Sequence, residues 1–498
     1  MTTAMFKTGM NRSLLNKDFF QAILDRAFGP NTYQTTTWSE QELDSSASIL
    51  SNISSGDGDE SDDDYDFYLD GSSSKENTNI QTMEEPCPMG DMTGHFLYKI
   101  DYSAQFLQSA NPLQIFHPSK AQQSSFISIS NTSTNRLGPQ QLTDGELWVV
   151  VKSKPIDTAL IELTNIMAQL QGGELAEEYD AVKDLTGFRN SHIREIELAE
   201  LAWKSGGAME KISTKVYNVQ RSDSQQLYAL CLEYLNPATG SITHMDSTDN
   251  ALSTWSPKDI HLVLRELASF HAQFLGQEKR LLSMSFLENP SRSMVKVLRP
   301  AYEAMIKTNR KNAPEIFSDF LSQSMLDYLA NSDEHWAVLE NSPRTLVHCD
   351  FNTRNICLRM DQSTGVQSLC AYDWELACCH VPQRDVVEFL SFVLPPGSRE
   401  WSHYIEYHRL ALKASYESQR FSDSANPHVM IPSSREYLNV ANIALMDFAA
   451  LRIAMYGISN SFKYVAWLPR IVRSVEEQMR RMGPLNPHRD HVLQYSKL

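Results

Sequence analysis

Cysteine is scarce in this 498-residue sequence: there are seven, two of them adjacent (Cys378, Cys379), and no CxxC pair. That pattern supports neither a disulfide framework nor a cysteine-based zinc site, and reduced thiols are expected. Basic residues are outnumbered by acidic ones, 44 to 61, for a net charge of −17. A chain that held nucleic acid by neutralising phosphates would need the opposite balance, so no nucleic-acid partner is expected. Long apolar runs are missing too. The opening stretch MTTAMFKTGMNRSLLNKDFF has no continuous hydrophobic core of the kind that directs secretion. No run of about 20 apolar residues suggests a membrane span. A cytoplasmic protein without a membrane partner is expected; the sequence does not speak to its oligomeric state.

What is present describes a folded protein. Hydrophobic residues make up 42% and charged residues 21%, enough apolar surface for a real core in two or three compact units. The acidity is uneven. Asp57, Asp59, Glu60, Asp62, Asp63, Asp64, Asp66 and Asp70 crowd into one tract. From about 35 to 80 the composition turns to Ser, Asp, Glu, Gly and Asn, and the centre SSGDGDESDDDYD cannot offset its own ordering entropy. A disordered insertion is expected there, and a second irregular one at about 104–143. Ser61, followed by three aspartates, has the context of an acid-directed phosphorylation site, although a charge run is ordinarily a solvated segment.

Asn16 is placed to cap a helix with apolar positions Phe19, Phe20, Ile23, Leu24 and Phe28, stopped by Gly29-Pro30. HFLYKIDYS alternates as a strand, and ELWVVVKSKP supplies a β-prone run ending at Lys152. Helices follow, one capped by Ser191 in HIREIELAEL, and then the strand YALCLEYL. After Leu235 the pattern is mostly helical. Ser256-Pro257-Lys258-Asp259 starts a helix whose buried stripe is Ile260, Leu264, Leu267, His271 and Phe274.

Chemistry concentrates in LVHCDFNTRNICL, Leu346 to Leu358. Short apolar residues lead to His348, and Asp350 and Asn355 flank the loop FNTR. ICLRM and VQSLCAY, joined by the turn DQSTG, form a hairpin that returns Asp373 close to Asn355. A carboxylate, an amide oxygen and a second carboxylate are hard oxygen ligands suited to Mg²⁺. Asp350 is then free to orient an attacking hydroxyl and accept its proton. His348 is expected to hold the loop through a backbone hydrogen bond instead of transferring protons.

HCDFNTRN followed by YDWE resembles the catalytic loop and metal-binding aspartate of aminoglycoside phosphotransferases and choline kinase-like enzymes. The resemblance implies an α+β, two-lobed protein-kinase-like fold. Residues 1–235 would form an N-lobe with an antiparallel sheet and an αC-like helix, and 236–498 a mostly helical C-lobe. It further implies ATP and Mg²⁺ as cofactors, with Asp350 catalytic and Asn355 and Asp373 on the metal. Gly90 and Gly94, before the strand HFLYKIDY, would let backbone amides approach the phosphates. Lys152 would clamp them, with Lys154 as rival, and Glu195 would be its ion-pair partner, with Glu197 as rival. Glu233 to Leu235 would form the adenine hinge, and Asp385 matches a structural aspartate.

No long activation segment closed by Ala-Pro-Glu follows Asp373, so a protein substrate is not expected. The acceptor would be a hydroxyl of a small molecule, an amine among the candidates. Tyr372, Trp374, Trp401, Tyr404, Tyr407, Tyr464 and Trp467 could cage a cation or serve as helical core. Two competing readings are a catalytically dead binding protein of the same fold and a metal-dependent hydrolase using His348, Asp350, Asp373 and His380. The intact set Lys152, Asp350, Asn355 and Asp373 disfavours the first; the lack of His-rich ligand spacing disfavours the second.

Overall fold

Runs of β-branched and aromatic residues with period-two alternation build a five-stranded antiparallel sheet. Its strands are β1 (Tyr33–Gln41), β2 (Gly94–Ala104), β3 (Gly145–Ser153), β4 (Val216–Ser222) and β5 (Leu227–Glu233), in the order β1-β2-β3-β5-β4. The computed structural model describes residues 17–28, 33–41, 94–104, 145–237, 241–246, 252–420 and 429–483. Gly90, Asn16, the acidic tract with Ser61 and nearly all of 104–143 lie outside these. Strand β1 corrects one boundary: the segment expected to be irregular from about Thr35 is paired with β2 as far as Gln41.

The two faces of the sheet are covered differently. Phe19, Phe20, Ile23 and Leu24 of helix Lys17–Phe28 pack on Tyr98, Ile100, Val149 and Val151. Phe28, expected on the same stripe, is 39% exposed at the helix end. On the opposite face, Ile196 and Ala199 of helix Ser191–Ser205 meet Tyr228, Leu230 and Leu232. Ser191 is this helix's first residue; Asn190 is its N-cap, with φ 62°, and donates its N–H to Asp157 Oδ2 at 2.8 Å. Because Val149 and Val151 take one face, Lys152 at the end of β3 points to the other, toward helix Ser191–Ser205.

After β5 the chain is mainly helical around one large core. Helix Pro257–Phe274 begins as expected, with Ser256 Oγ accepting from the Asp259 N–H, and buries Ile260, Leu264, Leu267, His271 and Phe274. Five short strands are set among the helices: β6 (Ile242–Met245), β7 (Thr345–Val347), β8 (Ile356–Met360), β9 (Gln367–Ala371) and β10 (Cys378–His380). They form a β6-β8-β9 sheet and a β10-β7 pair. Helix Ser434–Asp447 runs through a π-helical turn, Phe448–Ile453, into helix Ala454–Asn460. Contrary to the expectation from sequence, this continuous helix is long and apolar enough to cross a membrane, and 67% of its apolar stretch is buried within the protein.

Candidate active site

Strand β7 delivers the chain to His348, and the next residue, Cys349, adopts a left-handed conformation with φ 63°. This turn is pinned from below. Both carboxylate oxygens of the fully buried Asp385 accept main-chain hydrogen bonds, from His348 N at 2.8 Å and Cys349 N at 2.9 Å. His271 Nε2 lies 3.1 Å from the same carboxylate. Burial pushes the Asp385 carboxyl up, but the hydrogen bonds it accepts from His271 and from the His348 amide outweigh it and hold it below the usual range. Behind His271 the line continues through His408, 3.2 Å away, to the hydroxyl of Tyr437, 2.8 Å from His408. His348 Nε2 is 2.9 Å from the Tyr372 carbonyl, fastening the loop to the end of the hairpin, as its structural reading required.

Asp350 emerges from this turn with its carboxylate held by four side chains. Its Oδ1 accepts from Asn352 Nδ2 at 3.1 Å, Tyr456 OH at 2.8 Å and an Arg452 nitrogen at 2.7 Å. Its Oδ2 accepts from Asn355 Nδ2 at 2.8 Å. Burial works against the charge, but Arg452 and Arg354, with the hydrogen bonds from Arg452 and Tyr456, hold the carboxyl well below the usual range. Glu388, also buried beneath the loop, goes the other way. Burial, only partly offset by Arg384, pushes it up to about 8.

The hairpin register brings the second carboxylate in. Ile356 faces Ala371 across β8 and β9, and Tyr372 N donates to Asn355 O at 3.0 Å, so Asp373 follows directly beside Asn355. Asp373 is left-handed, φ 65°, and its Oδ1 lies 2.7 Å from Lys152 Nζ. The same Nζ is 2.8 Å from Glu195 Oε2. Lys154 is not excluded by Lys152 but added to it: its ammonium sits 2.9 Å from Glu195 and 2.7 Å from Glu375. Glu197 points elsewhere, to Arg221 at 2.6 Å. Burial opposes the Lys152 charge, but Asp373, Glu195 and Glu375 outweigh it; burial likewise opposes the Glu195 charge and the two lysines outweigh it. Three carboxylates against two ammonium groups leave an excess negative charge, and Asp373 Oδ2 and Asn355 Oδ1 are hard oxygens with no hydrogen-bond donor on them among the described residues. That donor set fits Mg²⁺.

Several contributors were not anticipated. Arg194, buried within helix Ser191–Ser205, donates to the carbonyls of Glu375 at 2.6 Å, Arg189 at 2.5 Å and Phe286 at 3.1 Å, tying this helix to the segment after Asp373. Glu375 was visible in the DWE triplet without an assigned part. Arg452 and Tyr456 stand on a helix that reads as ordinary core. Arg354 lies over the Trp467 ring at 4.4 Å and near Tyr456 and Phe392 at 5.8 Å each.

The remaining expected residues take modest positions. Gly94 opens β2 opposite Ser153. Glu233 ends β5, where its amide donates to Lys215 O and its carboxylate binds Lys215 N at 2.7 Å and Arg359 at 2.6 Å. Leu235 packs against Cys357, Cys370 and Tyr372. The aromatic residues do not converge on one cage. Trp374 lies against His348 and Phe270, Tyr404 and Tyr407 against His261, Trp467 against Phe392 and Tyr456, and Tyr464 is 71% exposed. His380 is buried against Trp336, and no cluster of three or more His, Cys, Asp or Glu suited to a metal occurs among the described residues, so the hydrolase constellation does not assemble.

A sheet with its lysine–glutamate pair, set against a helical part carrying HxDxxxxN and a following aspartate, is the arrangement of the protein-kinase-like fold. Within it, residues 198–419 match the Ecdysteroid kinase-like family. Among solved structures, an ethanolamine kinase from Plasmodium vivax is similar at 15% identity, covering 58% of this chain and 73% of that one, with a TM-score of 0.34. A choline kinase from Streptococcus pneumoniae aligns at 12% identity over 67% of this chain and 85% of that one, TM-score 0.33. An aminoglycoside-3'-phosphotransferase of type VIII aligns at 12% over 63% and 85%, TM-score 0.30. No curated protein matches the chain at a significant level.

Proposed function

We propose that this protein transfers the γ-phosphoryl group of ATP to a hydroxyl of a small molecule. One observation carries the reading: Lys152 is held at 2.8 Å by Glu195 and at 2.7 Å by Asp373, on the hairpin that also presents Asn355, while Asn355 bonds Asp350 at 2.8 Å. A phosphate-binding cation, a pair of metal-binding oxygens and a hydroxyl-orienting carboxylate therefore stand in one connected group. Phosphoryl transfer asks little covalent work of a protein, so placement and charge neutralisation dominate.

Asn355 and Asp373 would hold Mg²⁺, which when bound neutralises charge on the β- and γ-phosphate oxygens. Lys152, kept charged and in place by Glu195, neutralises phosphate charge from the sheet side. Lys154 stays with Glu375 and keeps the segment after Asp373 joined to the sheet. Asp350 orients the acceptor hydroxyl and receives its proton. The name of the matching family makes an ecdysteroid the first acceptor to try. Arg354 filling the space among Phe392, Tyr456 and Trp467 favours an uncharged alcohol over an amine there.

The test is thermal stability with and without MgATP for the wild type and Asp373→Ala, followed by ADP release with ecdysteroids and with pools of alcohols and amines. MgATP stabilisation lost in the variant, with ADP released for one pool, is the expected result. Absence of any MgATP stabilisation overturns the reading and leaves a binding protein of this fold.

A further inference from the structure

The two oxygens of the Asp350 carboxylate are not equivalent. Oδ1 accepts from Asn352, Tyr456 and Arg452, three donors within 3.1 Å. Oδ2 accepts from Asn355 alone among the described residues. A carboxylate oxygen has room for about two good acceptor interactions, so Oδ1 is saturated and Oδ2 has an open lone pair. Asn352 and Asn355 also reach the Asp350 carbonyl, at 3.2 and 2.9 Å, so the loop fixes its own main chain. The remaining freedom of the carboxylate is rotation about its side-chain torsions, which Asn352 and Asn355 restrain from within the loop and Arg452 and Tyr456 from outside it.

Those donors share one helix and support each other. Arg452 Nε donates to the Tyr456 hydroxyl at 3.1 Å, and its guanidinium lies 5.0 Å from the Tyr456 ring centre. The hydroxyl, having accepted from Arg452, donates its own hydrogen to Asp350. Arg452 lies in the π-helical turn Phe448–Ile453, and Tyr456 one turn beyond. A π-turn takes up an extra residue. Relative to the face that helix Ser434–Asp447 buries, it rotates everything after it by about 100°. Arg452 and Tyr456, four residues apart, share the face of this helix that meets Asp350.

We propose that Arg452 and Tyr456 are positioning residues that grip Asp350 by Oδ1 and so reserve Oδ2 as the atom that receives the acceptor hydroxyl. This rests on the phosphotransferase reading. In the step it serves, the acceptor oxygen forms its bond to the γ-phosphorus and the bond from phosphorus to the bridging oxygen breaks. ADP leaves with that electron pair, and the acceptor proton ends on Oδ2. A carboxylate turned by part of its torsion would leave these donors and point the open lone pair of Oδ2 away from the hydroxyl, the kind of misplacement that costs on the order of 100-fold in rate.

The experiment measures kcat and KM for the acceptor, and KM for MgATP, in the full-length wild type, Arg452→Gln, Arg452→Lys, Tyr456→Phe and Asp350→Asn, with melting temperature recorded for each. The expected result is a fall in kcat of on the order of 100-fold for Arg452→Gln and about 10-fold for Tyr456→Phe, with both KM values within about threefold of wild type. Arg452→Lys should recover part of the loss, because one ammonium donor can still reach Oδ1. A purely structural part for Arg452 would lower the melting temperature and active fraction without this split and without rescue by lysine. If Asp350→Asn is inactive while Arg452→Gln keeps wild-type kcat, the positioning role is overturned and the phosphotransferase reading stands. If the wild type releases no ADP with any acceptor, the reading beneath falls and takes this one with it.

Discussion

Replacing Asp385 by alanine tests how the catalytic loop is held. The carboxylate is fully buried and accepts from two backbone amides at 2.8 and 2.9 Å, with His271 at 3.1 Å as a third partner. Hydrogen bonds to a charged group contribute about 1.5–3 kcal/mol each, and a buried donor left without a partner costs about 1–3 kcal/mol. Three orphaned donors would cost about 3–9 kcal/mol, and one water entering the space freed by the substitution would recover one of them, leaving about 2–6 kcal/mol. That is a large share of the ~5–15 kcal/mol of a typical domain. Urea unfolding followed by tryptophan fluorescence would read the loss as a lower midpoint at unchanged slope. Hydrogen exchange at the His348 and Cys349 amides should accelerate even under native conditions, because these are the bonds removed. A variant within about 1 kcal/mol of wild type, with those amides still protected, would refute the clamp.

Two further outcomes follow from buried groups outside the site. His380, against Trp336, has neither ring nitrogen hydrogen-bonded among the described residues, and burial, with the charges of Arg384 and Arg344, lowers its pKa to about 3. Its neutral form therefore contributes stability that is complete above the unfolded value of about 6.5 and is lost as pH falls from there toward 3. His380→Phe should flatten the stability curve in that window, and an unchanged slope in chemical denaturation at pH 4 to 7 would count against it. At Gly457 an added Cβ would lie 2.5 Å from Asn309 Nδ2, which donates to the Ala454 carbonyl at 2.7 Å. Gly457→Ala should lower stability by about 1–3 kcal/mol through overpacking, and a neutral or raised melting temperature would contradict the tight fit.

The loop and its hairpin were legible because their parts are close in sequence. Spacing alone ties Asp350 to Asn355, and the turn DQSTG ties Asn355 to Asp373. Lys152 was legible as the end of a β-prone run, but its relation to Lys154 was not, since alternation puts both on one face and only the helix opposite decides how they share Glu195. Strand β1 was hidden by its polar composition: TTTWSEQ is an edge strand whose buried side contacts one helix. Nothing in HIREIELAEL shows that Arg194 meets backbone carbonyls. Tyr456 reaches Asp350 across 106 residues, and no local pattern encodes a contact of that range.

The line from Tyr437 through His408 and His271 to Asp385 has a direction. An ionised carboxylate can only accept, so His271 Nε2 must give its hydrogen, and with neutral rings each member upstream donates to the next until the Tyr437 hydroxyl starts the sequence. The protein interior thus carries orientational order along a path from the helix beginning at Ser434 to the floor of the catalytic loop, and the Tyr437 hydroxyl, giving its hydrogen inward, is where that order begins.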